Sequence, residues 1–221
     1  MSLLVGPLVR KDLFLMRWAI AGTLAGGLVS LALMPLGGIL TYVGGVSLIC
    51  ALVVLNIFVV LYGVAQERRE KMLLFVLSLP VSPLQVTLSK AAAMAIAFGV
   101  PWLVLTGATA ALIAASALPD GILPFWIAVL AYLLLYFCAL LAVGLLRVSN
   151  GWQAAAITVG NLSVNFVIPL LLALPAVKAN HAGPSAVWTA DLVAIIGLEV
   201  LLGAVVLGLA VWRRARQPDF V

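Results

Sequence analysis

Charged side chains are scarce in this sequence. Of its 221 residues only 12 are Lys or Arg and 7 are Asp or Glu. A water-soluble domain of this length needs a far more polar surface, so a globular enzyme with a large buried core is excluded. Histidine occurs once, at His181, and cysteine twice, at Cys50 and Cys138. One histidine cannot build a zinc site, and His181 reads as an ordinary loop residue. The cysteines lack CxxC spacing and each lies in an apolar run, so both read as buried packing thiols. No G-x-x-x-x-G-K-[ST] is present, and the chain therefore has no phosphate cradle of its own for ATP. Neither H-E-x-x-H nor G-x-S-x-G occurs. The expectation is a chain that is not itself an enzyme and holds no metal or cofactor.

What the sequence has is apolar length. Hydrophobic residues make up 66% of it and the mean hydropathy is +1.29. Charge-free runs longer than the roughly 20 residues that cross a bilayer recur along the chain. Turn-forming stretches punctuate them: "MPLGG" at Met34, "PDG" at Pro119, "RVSNG" at Arg147 and "KANHAGPS" at Lys178. The reading is one all-α transmembrane domain with six spans, about 19–36, 39–66, 86–118, 122–148, 152–177 and 187–212. Residues 2–18, with Arg10, Lys11, Asp12 and Arg17 among leucines, read as an amphipathic helix lying in the membrane interface. A cleaved signal peptide is not expected, because the apolar run begins only after those charges.

The net charge of +5 does not form a nucleic-acid stripe, and no nucleic-acid partner is expected. The cations sit at the ends of apolar runs. Six crossings put Arg10, Lys11, Arg17, Arg68, Arg69, Lys71, Lys90, Arg147, Arg213, Arg214 and Arg216 on one side and only Lys178 on the other. By the positive-inside rule both termini are cytoplasmic, and the chain is a multi-pass protein of a bacterial plasma (inner) membrane.

A few polar residues fall inside the spans. Glu199 lies mid-way along the sixth, where a charge costs about 2.5–3.5 kcal/mol and must face protein or water. Its readings are a substrate or gating contact, or a structural hydrogen bond. Asp191, eight residues earlier, reads as lying on roughly the same side. Thr158, Asn161 and Asn165 share one face of the fifth span by their spacing of three and four. That face reads as a translocation path or dimer seam, or alternatively as glue between helices of one chain; Ser163 lies off it. Asn56 in the second span is a candidate partner. Lys90 reads as a stem that snorkels to the headgroups.

The most informative stretch is "ERREKMLLFVLSLPVSPLQVTLSK", Glu67 to Lys90. A charged turn leads into a segment too short to span, with Met72, Phe75, Val76 and Leu79 at helical spacing, and then a proline-bounded corner. In physical terms this is either a helix shaped to fit a groove on a soluble partner or an ordinary interfacial loop. The stretch resembles the ABC (ATP-binding-cassette) type-2 permeases, the transmembrane subunits of bacterial export systems. There an acidic residue ends the second span, a short coupling helix follows, then a Pro-Val-Ser-like turn and an apolar helix carrying a Lys. Glu67, the helix Lys71 to Leu79, "LPVS" and Lys90 match in order and spacing, and Arg10 to Arg17 is similar to the family's N-terminal interfacial helix. Lys71-Met72 stands where many members carry Gly-Thr, which leaves the subfamily open.

The resemblance implies a permease subunit that pairs with a second copy (a homodimer) or a similar permease. Two ABC ATPase subunits, which bind ATP and Mg, would dock on the cytoplasmic elbow. Its coupling residues would be Glu67, Arg68, Arg69, Glu70, Lys71, Met72, Phe75, Val76, Leu79 and Pro80. The implied activity is export of a hydrophobic or amphipathic substrate such as a peptide, drug or lipid-like molecule. A haem-exporter-like permease and a proton-coupled secondary transporter using Glu199 stand as alternatives. Beyond its protein partners, such a subunit contacts membrane lipids.

Overall fold

A computed structural model describes residues 5–65, 83–146 and 150–216. All regular structure among these residues is helical: α1 (Val5–Leu33), α2 (Ile39–Val60), α3 (Pro83–Ala115), α4 (Leu123–Leu145), α5 (Asn150–Ala173), the short α6 (Pro175–Asn180) and α7 (Ala190–Ala215). Six of them are long and apolar enough to cross a membrane, which fits a multi-pass membrane protein.

The breaks follow from backbone chemistry. After Leu33 the chain tightens into a 3-10 turn at Met34–Leu36 and then passes Gly37 and Gly38 at φ +79° and +58°, a conformation that side-chain-bearing residues avoid. Thr41 Oγ1 donates to the Met34 carbonyl at 2.8 Å and ties the turn shut. Pro119 precedes a second 3-10 turn at Asp120–Ile122, and Pro124 and Pro175 stand in the first turns of α4 and α6, where a missing N–H costs nothing. Pro101 and Pro169 lie inside helices α3 and α5.

Helix α4 is the centre of the bundle. It packs against α2, α3, α5 and α7, and α1 covers α2 and α3 from outside. Phe98 of α3 stacks on Phe137 of α4 with ring centroids 4.3 Å apart, at the heart of this core. α1 and α2 approach so closely that a Cβ at Gly44 would stand 2.5 Å from the Ser30 carbonyl oxygen.

Close approaches also fix which helix ends lie together. Gly45, early in α2, faces the Trp126 ring in the first turn of α4. Gly63, just past α2, meets Met16 of α1 and Met94 of α3. Gly203 of α7 lies against Leu135 and Cys138 of α4. At the other end the Gly121 N–H donates to the Gly183 carbonyl at 3.0 Å, which joins the start of α4 to the loop after α6. The start of α1, the end of α2, the start of α3 and the end of α7 therefore share one end of the bundle. Among the described residues that end holds Arg10, Lys11, Arg17, Lys90, Arg213, Arg214 and Arg216, and the opposite end holds Lys178.

The boundaries differ from the sequence reading in instructive ways. No break separates an interfacial helix from the first span: α1 runs uninterrupted through Trp18 and Ala19. A change of polarity at Arg17 breaks no backbone hydrogen bonds, and no Pro stands between Arg10 and Leu33. α2 ends in a π-turn at Leu61–Ala65. The fifth span stops at Ala173, because Leu174 turns extended before Pro175. The expected coupling helix, 67–79, lies outside the described residues.

Candidate functional site

Two regions gather chemistry-bearing groups: the junction of α2 and α3 at the basic end, and a few polar side chains buried in the bundle.

At the junction, Lys90 Nζ donates to the Gly63 backbone carbonyl at 2.8 Å. Lys90 sits two turns into α3, half-buried, and Gly63 belongs to the π-turn that closes α2. A π-turn widens the helix and shifts its carbonyl register, and such turns concentrate at functional positions. Beyond the snorkelling expected from the sequence, the ammonium makes a specific tie: it reaches a backbone oxygen at the end of the preceding span. The absent side chain at Gly63 gives Met94 its place, with Met16 Cε 3.2 Å from where a Cβ would be. Three helices thus meet at one point. The residues expected from the sequence to couple to an ATPase, Glu67, Arg68, Arg69, Glu70, Lys71, Met72, Phe75, Val76, Leu79 and Pro80, lie outside the described residues.

Glu199 of α7 is buried, 9% exposed, and its Oε2 has no hydrogen-bond partner. It lies one turn before Gly203, the residue packed on α4. Asp191 does not join it: that side chain is exposed at the start of α7. Eight residues at 100° each leave the two about 80° apart, enough to separate the packed face from the outer one. Asn56 of α2 is 1% exposed, and neither its amide nitrogen nor its oxygen has a partner.

The three residues of α5 that spacing placed on one face differ in burial. Thr158 and Asn165 are exposed and Asn161 is half-buried. Asn165 Nδ2 donates to the Asn161 carbonyl at 2.9 Å, within its own helix. The ties between α5 and α4 come from Ser163, which the spacing argument set aside, and from residues it did not consider. The Tyr132 hydroxyl is hydrogen-bonded to Ser163 Oγ, which in turn lies 2.7 Å from the Gly160 carbonyl. Tyr136 donates to the Ile157 carbonyl at 3.2 Å, and its ring fills the space above Gly160. Two tyrosines one turn apart on α4 were the available signal.

On α1, Arg10 and Lys11 are exposed, and the Arg17 guanidinium lies 3.9 Å from the Phe14 ring centroid and 5.4 Å from that of Trp18. Asp12 is engaged by a partner. Cys138 is buried as expected, but Cys50 is exposed on the outer face of α2. His181 Nδ1 sits 3.1 Å from the Lys178 carbonyl in the exposed loop. Among the described residues no cluster of three His, Cys, Asp or Glu is placed to hold a metal. No family model matches this chain, and comparison with curated proteins and with solved structures likewise gives no match.

Proposed function

We propose that this chain is the membrane-spanning subunit of an ATP-driven exporter, moved by separate ATPase subunits that grip the elbow between α2 and α3. The observation that carries the reading is the Lys90–Gly63 hydrogen bond. It ties the π-turn that closes α2 to the second turn of α3, so a force applied to the elbow would reach α2 and α3 jointly as a rigid-body displacement. The order of residues within the elbow, an acidic end, a short amphipathic segment and "LPVS", supports the same reading by its resemblance to ABC type-2 permeases. A second copy of the chain is part of the proposal. Thr158 and Asn165 are exposed on α5, and polar side chains at membrane depth are better satisfied by another protein surface than by lipid.

The test is co-purification from native membranes with a P-loop ATPase, followed by reconstitution. Charge reversal at Glu67 and proline at Phe75 are each expected to abolish transport while ATP hydrolysis continues. Transport at the unaltered rate in both variants removes the coupling assignment. A second reading, a proton-coupled transporter, is favoured by the buried carboxyl of Glu199. Transport by the purified chain alone, driven by a pH gradient without ATP, would establish that reading in place of the first.

A further inference from the structure

We infer that the basic end of α1 is a binding site for the phosphate headgroup of an anionic phospholipid. Gly6, Pro7, Arg10, Lys11, Phe14 and Leu15 line a groove of about 630 Å³ along this helix. Its lower half is cationic. Arg10 and Lys11 are exposed, and neither makes a hydrogen bond or ion pair with another described residue. A planar guanidinium beside an ammonium suits phosphate oxygens, the first by two parallel N–H bonds and the second as a point charge. A Cβ at Gly6 would meet no described residue within 4 Å.

The upper half is apolar. Phe14 and Leu15 lie one turn above Arg10 and Lys11, about 6 Å further along the axis, and are 59% and 48% exposed. The order is that of a lipid: charge at the end of the bundle, hydrocarbon toward its middle. Arg17 obeys the same polarity. It lies one turn above Phe14 but folds back over that ring, so its charge also points toward the headgroup level. Free phosphate would use the cations and have no use for the apolar half. The site therefore commits to a lipid, and it stands whether or not the chain is an exporter.

The full chain, released from membranes containing equal phosphatidylglycerol and phosphatidylcholine, is analysed by native mass spectrometry for retained lipid. The wild-type chain is expected to retain phosphatidylglycerol selectively. Arg10→Gln with Lys11→Gln should weaken that retention by about thirtyfold, from the loss of two cations near the surface. Phe14→Ala with Leu15→Ala should also weaken it with every charge kept. Arg213→Gln with Arg216→Gln removes two cations from the same end of the bundle but not from the groove, and should leave retention unchanged. Equal loss in that control would reduce the effect to bulk electrostatics and overturn the site. So would full retention in the Arg10/Lys11 variant, equal retention of phosphatidylcholine, or binding of inorganic phosphate in place of phosphatidylglycerol.

Discussion

The Lys90 ammonium donates to the Gly63 carbonyl across a 27-residue separation, and in doing so ties the π-turn at the end of α2 to α3. A charged donor on a backbone carbonyl contributes about 1.5–3 kcal/mol. Lys90→Met is expected to lower stability in detergent by about 2 kcal/mol, read as a fall in thermal midpoint with helicity kept at low temperature. On the proposed exporter function it should also raise the ATP hydrolysed per substrate moved by the reconstituted complex, because the elbow would then move without its two spans. A variant as stable and as tightly coupled as the parent would show that the tie does neither.

Gly160 and Tyr136 make a second contact that can be tested by volume. The Tyr136 ring occupies the space a Cβ would need at Gly160, so Gly160→Ala must push α5 away from α4. Overpacking of this kind costs about 1–3 kcal/mol. The same displacement breaks the Tyr132–Ser163 and Tyr136–Ile157 hydrogen bonds, which are the polar ties between these helices. In a double-mutant cycle, Gly160→Ala and Ser163→Ala should therefore be non-additive, the second change costing less once the first is made. Strict additivity of the two losses in unfolding free energy would contradict the shared displacement.

Much of this architecture was legible in the sequence. Six spans follow from apolar runs too long for anything else, and the charge asymmetry follows from their even number. The burial of Glu199 was also predictable, since a carboxyl facing lipid is too costly. Three things were not. Helix continuity through Trp18 escapes a reading based on polarity, because the backbone answers to Pro and Gly and not to charge. Which apolar residues are packed and which meet lipid is equally hidden, as Cys50 shows: hydrocarbon and protein core are nearly the same solvent to a thiol. The tie between Lys90 and Gly63 depends on a π-turn, which leaves no mark on a 3.6-residue period, and the hydroxyl pair of Tyr132 and Ser163 joins positions 31 residues apart.

Glu199 separates structure from transport. Gln keeps the shape of the side chain and removes its ability to ionise. Glu199→Gln is expected to fold with stability within about 0.5 kcal/mol of the parent, as isosteric changes away from a hydrogen bond do. Oε2 has no partner to lose. Substrate efflux from proteoliposomes should nonetheless slow, because the carboxyl would then be serving the translocation path and not the packing of α7 on α4. Efflux at the parent rate, with stability unaltered, would leave the carboxyl without a role in either.

Asn56 makes the opposite prediction about stability. Its amide is 1% exposed among Leu52, Leu55 and Val59, and both polar atoms lack partners. A buried amide without hydrogen bonds costs about 1–3 kcal/mol relative to a satisfied one, whereas an apolar side chain of the same size at that position costs nothing of the kind. Asn56→Leu should therefore raise the thermal midpoint of the purified chain. If the amide is kept for transport, the stabilised variant should transport more slowly, since the polar group would serve a state of the bundle other than the one described here. A midpoint that falls on substitution would mean that Asn56 is hydrogen-bonded in the protein as it folds in detergent, and would remove the premise of the prediction.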